Sequence, residues 1–225
     1  MLSYLHVVQP SAERLRAAAD EIARAVAQVR EAYSQGRVTQ EPHLTDRLLG
    51  AIETRMEGYE VSGLRWSAKT LSDRGKGSEE KRYGADFVGV LNVALPSYEI
   101  SKGFLAQAKL LEPDEYLTKD EWDVLVRQCA RMLELSPASF VFLYSTAGVR
   151  VVPAHSVTAI GAQAPEERTP YGLYSRSLRT FFMHHFESFI GDSRIVKPHA
   201  ITLEELAREA GSTRGIALAL SEIPA

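Results

Sequence analysis

Residues 81 to 111 read KRYGADFVGVLNVALPSYEISKGFLAQAKLL, and this stretch decides the fold that we predict. Its first half places one acid, Asp86, at the head of an apolar run that is typical of a strand. Its second half alternates after Leu105, so Gln107 and Lys109 point to the same face of a second strand. A turn separates the two runs, and the two strands are therefore candidates for neighbours in one sheet.

If the strands are neighbours, a carboxylate, an amide and an ammonium group converge at one edge of the sheet. A buried carboxylate such as Asp86 is costly unless a cation or a hydrogen-bond donor accompanies it. Oxygen ligands suit a hard divalent cation, and a lysine beside that cation suits hydrolytic chemistry. The alternative interpretation is that Asp86 and Lys109 form only a buried ion pair.

At these residues the sequence resembles the PD-(D/E)XK nuclease superfamily, which has the restriction-endonuclease-like fold. The superfamily motif is an acid, a spacer of variable length and then (Glu/Gln)-x-Lys, matched here by Asp86 and by Gln107-Ala108-Lys109. The Gln-x-Lys form is similar to Mrr-type restriction enzymes and to the nuclease domains of bacterial antiphage effectors. Glutamine in place of the second acid removes one negative charge from the site. The resemblance covers roughly residues 38 to 155.

This resemblance implies a metal-dependent endodeoxyribonuclease that hydrolyses DNA phosphodiester bonds. Its cofactor would be Mg²⁺, with Mn²⁺ able to substitute. Asp86, Gln107 and Glu41 would be the metal ligands, aided by the backbone carbonyl of Ala108. Lys109 would orient the attacking water or offset charge that develops on the phosphorane.

Glu41 is proposed because superfamily members often supply a metal-binding glutamate from the first core helix. The sequence from Glu41 to Thr45 looks similar to that setting, and Thr39 is a candidate cap for the helix that follows. Glu41 can also be a first-turn acid that favours the helix dipole, and Glu53 is the second choice of ligand. On a later helix, Gln128 is expected to bind substrate, as a glutamine does in some superfamily members, or else to be a solvent-exposed side chain.

A polar, glycine-rich loop precedes Asp86. From Arg65 to Arg82 the sequence contains six basic residues and three acidic ones. A cationic loop beside a metal site is suited to binding phosphates, and we expect Arg74 and Lys76 to do so. A solvated hairpin tip is the other interpretation.

The whole chain has the composition of a globular protein. It has 225 residues, of which 45% are hydrophobic and 24% charged, with a net charge of -3. This charge argues against a generally basic surface but permits a local basic cleft. A single cysteine, Cys129, is expected to be a buried thiol and suits a reducing compartment. With no apolar run of membrane-spanning length, we expect a cytoplasmic protein without a membrane partner.

We predict an α/β fold with a central mixed β-sheet flanked by helices, restriction-endonuclease-like, with N-terminal and C-terminal helical additions. The expected parts are an N-terminal helical extension at residues 1–36, a nuclease core at 37–160 and a C-terminal helical part at 161–225. The predicted helices cover residues 11–33, 42–57, 119–133, 171–190 and 203–210. Strands are predicted at residues 59–66, with a bulge at Gly63, and at 139–145 and 148–152, whereas residues 215–223 fit a strand or a helix.

The expected function is that of a DNA-cleaving effector in a bacterial antiphage defence system. A homo-oligomer is expected because the two strands of a duplex need two active sites. A regulatory partner in the defence system is expected too, since an unregulated nuclease is toxic. The alternative is a non-catalytic nucleic-acid or partner-binding domain with a degenerate nuclease fold, and RNA is an alternative substrate.

Overall fold

The computed structural model describes residues 3–71, 84–96, 98–163, 166–195 and 203–223. Within these ranges an eight-stranded mixed sheet is flanked by six α-helices, which confirms the predicted α/β class. None of these helices combines the length and the apolar character that a membrane crossing requires.

The helices and strands are numbered in chain order. The helices are α1 (Ser3–Ser34), α2 (Glu41–Met56), α3 (Lys119–Leu135), α4 (Ala154–Gly161), α5 (Leu178–Phe186) and α6 (Leu203–Ala210), with one 3₁₀ turn at Pro170–Gly172. The strands are β1 (Glu60–Val61), β2 (Leu64–Leu71), β3 (Phe87–Leu95), β4 (Tyr98–Leu110), β5 (Ser139–Ser145), β6 (Gly148–Pro153), β7 (Arg176–Ser177) and β8 (Gly215–Glu222).

The strand order in the sheet is β1-β2-β8-β3-β4-β5-β6-β7. Strands β3 and β4 are antiparallel neighbours, as expected from the turn between their sequences. The pairs β3–β8 and β4–β5 are parallel, and helix α3 provides the crossover from β4 to β5 that a parallel pair requires. The long strand β4 thus lies inside the sheet, with a neighbour on each side.

Each face of the sheet is covered by its own set of helices. Phe104 and Ala106 of β4 belong to the apolar cluster formed with α1, α2 and α5. Leu105 belongs to the cluster formed with α3, α4 and α6. Because side chains alternate along a strand, Gln107 and Lys109 share the face of Leu105 and lie on the α3 side.

Helix α3 follows the sequence expectation closely. Thr118 accepts a hydrogen bond from the Glu121 N–H, and the Glu121 carboxylate accepts one from the Thr118 N–H, which is a complete capping box. Cys129 is fully buried on the inner face of the helix, and burial raises its pKa to about 12. The thiol is therefore protonated at neutral pH and is part of the core, as predicted.

The prediction of one bulged strand at residues 59–66 was wrong, because this segment contains a hairpin. Ser62 and Gly63 have φ angles of 49° and 80°, and Val61 pairs directly with Leu64 across the turn. Two consecutive residues with positive φ are typical of the tight turns whose twist suits a two-residue hairpin. The chain therefore reverses at the position where a bulge was predicted.

The prediction of one helix over residues 171–190 was also wrong. The 3₁₀ turn and the short strand β7 precede α5, which begins after Ser177, whose hydroxyl accepts a hydrogen bond from the Thr180 N–H at 3.2 Å. The helix ends at Phe186, and Ser188 has a φ of 68°. The cap at Ser177 and the left-handed residue at Ser188 thus limit the helix to the middle of the predicted span.

The predicted C-terminal helical part, residues 161–225, contains strands as well as helices. Helix α6 is present, ending at Ala210 as predicted, but residues 215–222 form β8 in the middle of the sheet. This strand pairs with β2 and β3, more than a hundred residues earlier in the chain. Such pairing depends on long-range contacts, which a local sequence pattern does not contain. The expected domain boundaries near residues 36 and 160 stay predictions.

Candidate active site at the end of strand β4

Strand β4 continues beyond the start of β3, and this difference in length creates the site. Phe87, the first residue of β3, pairs with Ala106, whereas β4 runs on to Leu110. Beyond the start of β3, two N–H groups of β4 donate hydrogen bonds to carboxylates instead of to a strand. Asp86 Oδ2 accepts from Ala108 N at 2.9 Å, and Glu41 Oε2 accepts from Leu110 N at 2.8 Å. The two donors are two residues apart on the strand, so these N–H groups lie about 7 Å apart along it.

Gln107 lies directly across the strand pair from Asp86, in the register that continues the β3–β4 ladder. Its Nε2 donates one hydrogen bond to Asp86 Oδ2 and another to the carbonyl oxygen of Ala108 at 3.1 Å. Its Oε1 is buried and finds no hydrogen-bond partner within the described part of the chain. The two acceptor oxygens require a donor between them, which fixes the nitrogen of the amide on their side.

Asp86 is held from three directions. Its N–H donates to the Ala106 carbonyl oxygen at 2.8 Å, and its own carbonyl oxygen accepts from Ser212 Oγ at 2.7 Å. Two residues earlier, Gly84 has a φ of 71°, and a Cβ there would lie 3.0 Å from the Cα of Gln128 on α3. The residue before Ala85 is therefore packed closely against α3, in a left-handed backbone conformation that favours glycine. Gln128 is partly buried at this contact.

Glu41 is the first residue of α2, with Pro42 following it in the first turn. The predicted cap at Thr39 was wrong, because Gln40 holds the N-cap position and makes no side-chain capping bond. The Glu41 carboxylate instead reaches the end of β4, which a first-turn acid serving only the helix dipole does not require. Glu53, the second choice of ligand, accepts hydrogen bonds from Thr70 N and Oγ1 at 2.8 and 2.7 Å and does not join the site.

Lys109 follows Gln107 on the same face of β4 and is partly buried. Hydrogen bonds with Thr118 lower the pKa of Glu121, and the positive charge of Lys109 lowers it further. The Asp86 carboxylate bonds to Gln107 and Ala108, and no contact among the described residues supports the alternative of a simple Asp86–Lys109 ion pair.

Tyr144 of β5 is a residue of this region that the sequence did not indicate. Its hydroxyl accepts a hydrogen bond from Thr45 Oγ1 at 3.3 Å and is fully buried. Burial is the largest cause that raises the pKa of this phenol, and the negative charges of Glu41, Asp86 and Asp46 raise it further. Tyr144 is therefore a neutral hydrogen-bonding group beside the carboxylates at every physiological pH.

The chain's C-terminal part adds two more residues to this region. Ser212 fixes the Asp86 carbonyl oxygen, and Arg214 forms an ion pair with Asp46 of α2 at 2.5 Å. Both precede β8, so the insertion of β8 beside β3 brings them to the site. No local sequence signal identifies them, because their position depends on a strand pairing across the whole chain.

The residues present fit a hard cation. The described residues contain no group of three or more His, Cys, Asp and Glu side chains that could hold a metal ion. The oxygens at hand are the carboxylates of Asp86 and Glu41, the Ala108 carbonyl and the Gln107 amide. Among the described residues the buried Oε1 of Gln107 is an acceptor without a donor, and a set of oxygens with two charges suits Mg²⁺ better than a soft metal.

Arg74 and Lys76, the predicted phosphate-binding residues, lie outside the described residues. Comparisons of the chain with protein-family models, with curated proteins and with solved structures found no match. The function of the site is therefore inferred from its own geometry and chemistry.

Proposed function

We propose that this protein is a divalent-metal-dependent nuclease that hydrolyses phosphodiester bonds in DNA, with the restriction-endonuclease-like fold that its motif implies. The observation that carries the proposal is the arrangement of side chains at the end of β4. Asp86 and Glu41 come from different parts of the chain, yet they bind alternate N–H groups of the strand that bears Gln107 and Lys109. Structural carboxylates need not cluster beside a lysine and an amide, whereas this combination suits metal-assisted hydrolysis of a phosphodiester.

The ligands for Mg²⁺, or Mn²⁺ in its place, would be Asp86, Glu41 and Gln107, with the Ala108 carbonyl. A cation held there would polarise a phosphate group and acidify a water molecule. The chain's own residues supply the rest. Ser212 and the Gly84 contact orient Asp86, so that its carboxylate does not need to be reorganised during the reaction.

Lys109 supplies the amine side chain of the site. It follows Gln107 by two residues on the same strand face, about 7 Å further along the strand. From there its ammonium group would hold the attacking water by a hydrogen bond or offset negative charge on the phosphorane. Lysine suits this role because its charge is compact and its three N–H donors rotate freely.

A second candidate function is a nucleic-acid or partner-binding domain that no longer cleaves. The observation that favours it is the hydrogen bond from Gln107 Nε2 to Asp86 Oδ2, which a cation ligand would not make. This candidate predicts no cleavage at any metal concentration and no measurable binding of a divalent cation.

The biological setting of the proposal follows the resemblance. The protein would be the DNA-cleaving effector of a bacterial antiphage defence system, acting as a homo-oligomer. A regulatory partner in that system would restrain it, because free nuclease activity damages the host.

The first test is cleavage of supercoiled plasmid in Mg²⁺ by Asp86→Asn and Lys109→Ala. We expect each variant to lose activity by about 100-fold or more, as for removal of one preorganised electrostatic group. Lys119→Ala is the matched control, because Lys119 is an exposed lysine that pairs only with Asp123 on the surface of α3 in the described structure. Wild-type cleavage by Lys109→Ala would remove lysine from the mechanism, and undiminished cleavage by both variants would exclude this site.

A further inference from the structure

The amide nitrogen of Gln107 lies at the position where two acceptor oxygens converge. Asp86 Oδ2 and the Ala108 carbonyl oxygen both accept hydrogen bonds from Nε2. Asp86 Oδ2 also accepts from the Ala108 N–H, so one carboxylate oxygen serves two donors. The partly positive amide NH₂ group therefore lies between a carboxylate oxygen and a carbonyl oxygen, which are the ligands that a hard cation prefers.

The other end of the same amide is poorly placed. Gln107 is only 5% exposed, and its Oε1 has no hydrogen-bond partner among the described residues. A buried acceptor without a donor is unfavourable, since it has lost its hydration without a replacement. The Gln107 amide thus donates hydrogen bonds to two oxygens of the site, while its own Oε1 accepts none from the described residues.

We propose that the Gln107 amide is an internal competitor for the cation, and that it rotates by half a turn when a divalent cation binds. This inference rests on the proposed function. Rotation about the terminal bond of the side chain exchanges nitrogen and oxygen, so Oε1 then faces the cation and Nε2 leaves Asp86 Oδ2. One residue is in this way both the competitor and, after rotation, a ligand.

The competition has a consequence for affinity. Cation binding must break the two hydrogen bonds of Nε2, one of them to a charged group. Hydrogen bonds of this strength would weaken the apparent affinity for the cation by roughly 10- to 100-fold. Gln107→Glu has no N–H to donate and adds a charge, so its Mg²⁺ affinity should rise by about tenfold or more over wild type.

The decisive measurement is a ¹H–¹⁵N NMR titration of the side-chain amides with Mg²⁺, run beside calorimetry on the same full-length protein. Gln107→Met identifies the Gln107 signals by their loss. The matched control is Gln35, an exposed residue just after α1, whose Nε2 donates to the Glu31 carboxylate at 3.0 Å. We expect the two Gln107 amide protons to move upfield, as they lose their oxygen acceptors, and the Gln35 signals to stay in place.

Upfield movement of the Gln107 signals, with the same dissociation constant for Mg²⁺ as calorimetry gives, would support the competition. Calorimetric binding with unmoved Gln107 signals would overturn it while leaving the cation site and the proposed nuclease intact. Undetectable binding in the wild type and in Gln107→Glu, at millimolar Mg²⁺, would overturn both this inference and the metal-dependent function.

Discussion

Lys102 is a charged residue in the interior of the protein, on the face of β4 that packs against α5. It is 2% exposed, and its Nζ has no hydrogen-bond partner among the described residues. Burial lowers the pKa of Lys102 to about 8. The neighbouring His185 is buried too, and burial together with the charge of Lys102 lowers its pKa to about 3. The packing is close, because a Cβ at Gly191 would lie 2.8 Å from Lys102 Cδ.

Lys102→Met should therefore stabilise the protein. The unfolded chain binds a proton at this lysine up to pH 10.5, whereas the folded protein releases it near pH 8. Wild-type stability consequently rises with pH between these two values, and below pH 8 the full penalty applies, on the order of 3 kcal/mol. Urea unfolding at pH 7 should show a gain of this order in Lys102→Met, together with a flatter pH profile between 8 and 10.5.

Lys119→Met serves as the control for this comparison, because the Lys119 side chain is 71% exposed. It should change neither the stability at pH 7 by much nor its pH dependence. A Lys102→Met protein that is less stable than wild type at pH 7 would show that the buried ammonium group has a favourable partner.

The helices and strands differ in how well the sequence predicts them. α1, α2, α3 and the pair β5–β6 carry their information locally, as a 3.6-residue apolar period, a capping box or a run of buried β-branched and aromatic residues. The hairpin at Ser62-Gly63 was missed because a single glycine fits a bulge as well as a turn. β8 was undecided because its strand state depends on the neighbours β2 and β3, which supply partners on both sides.

The contact between α3 and the segment before β3 positions the site. Substitution of Gly84, which makes this contact, tests that role. Gly84 and Gly58 have the same φ of 71°, but a Cβ at Gly84 would lie 3.0 Å from the backbone of Gln128, whereas a Cβ at Gly58 meets nothing within 4 Å. Both Gly→Ala variants incur the cost of left-handed backbone, about 1–2 kcal/mol. Only Gly84→Ala must also push Gln128 of α3 away, by a few tenths of an ångström.

We therefore expect Gly84→Ala to lower the free energy of unfolding by more than Gly58→Ala does, as measured by urea unfolding. It should also weaken Mg²⁺ binding in calorimetry, because Asp86 lies two residues further along. Equal losses in both variants, with unchanged Mg²⁺ binding, would mean that α3 does not position the Asp86 carboxylate.

At the scale of the whole molecule, the sequence predicts one part of the candidate site and misses another. Asp86, Gln107 and Lys109 are recognisable because a short motif on adjacent strands contains all three. Ser212 and Arg214 are not, since the fold brings them in through β8. Between these extremes, the resemblance predicts Glu41, and its hydrogen bond to Leu110 N agrees with a position at the end of β4.

The predicted helix over residues 171–190 carries an aromatic stripe, Phe181, Phe182, Phe186 and Phe189, and the expectation of a homo-oligomer also takes this stripe as apolar surface beyond what one sheet needs. In the structure three of the aromatic side chains behind that prediction, Phe181, Phe182 and Phe186, are buried in this chain's own core. Phe189 is 79% exposed. The aromatic stripe therefore gives little reason to expect a second subunit, and the expectation of a homo-oligomer depends on the chemistry of the substrate.

A DNA duplex has two strands of opposite direction, and one site of the proposed kind cuts one of them. A symmetric pair of subunits would present two sites related by a twofold axis, as the strands of a duplex are. Light scattering should then give twice the chain mass of 24.9 kDa, at least when DNA is bound.

Mixing wild type with the inactive Asp86→Asn should produce hybrid dimers that nick one strand. Linear plasmid should therefore decrease more steeply than nicked plasmid as the share of the variant rises. Mixing with Lys119→Ala should leave the ratio of linear to nicked product unchanged. If the scattering mass is that of one chain and linear product falls only in proportion to the wild-type share, each copy cuts both strands in turn and the dimer is excluded.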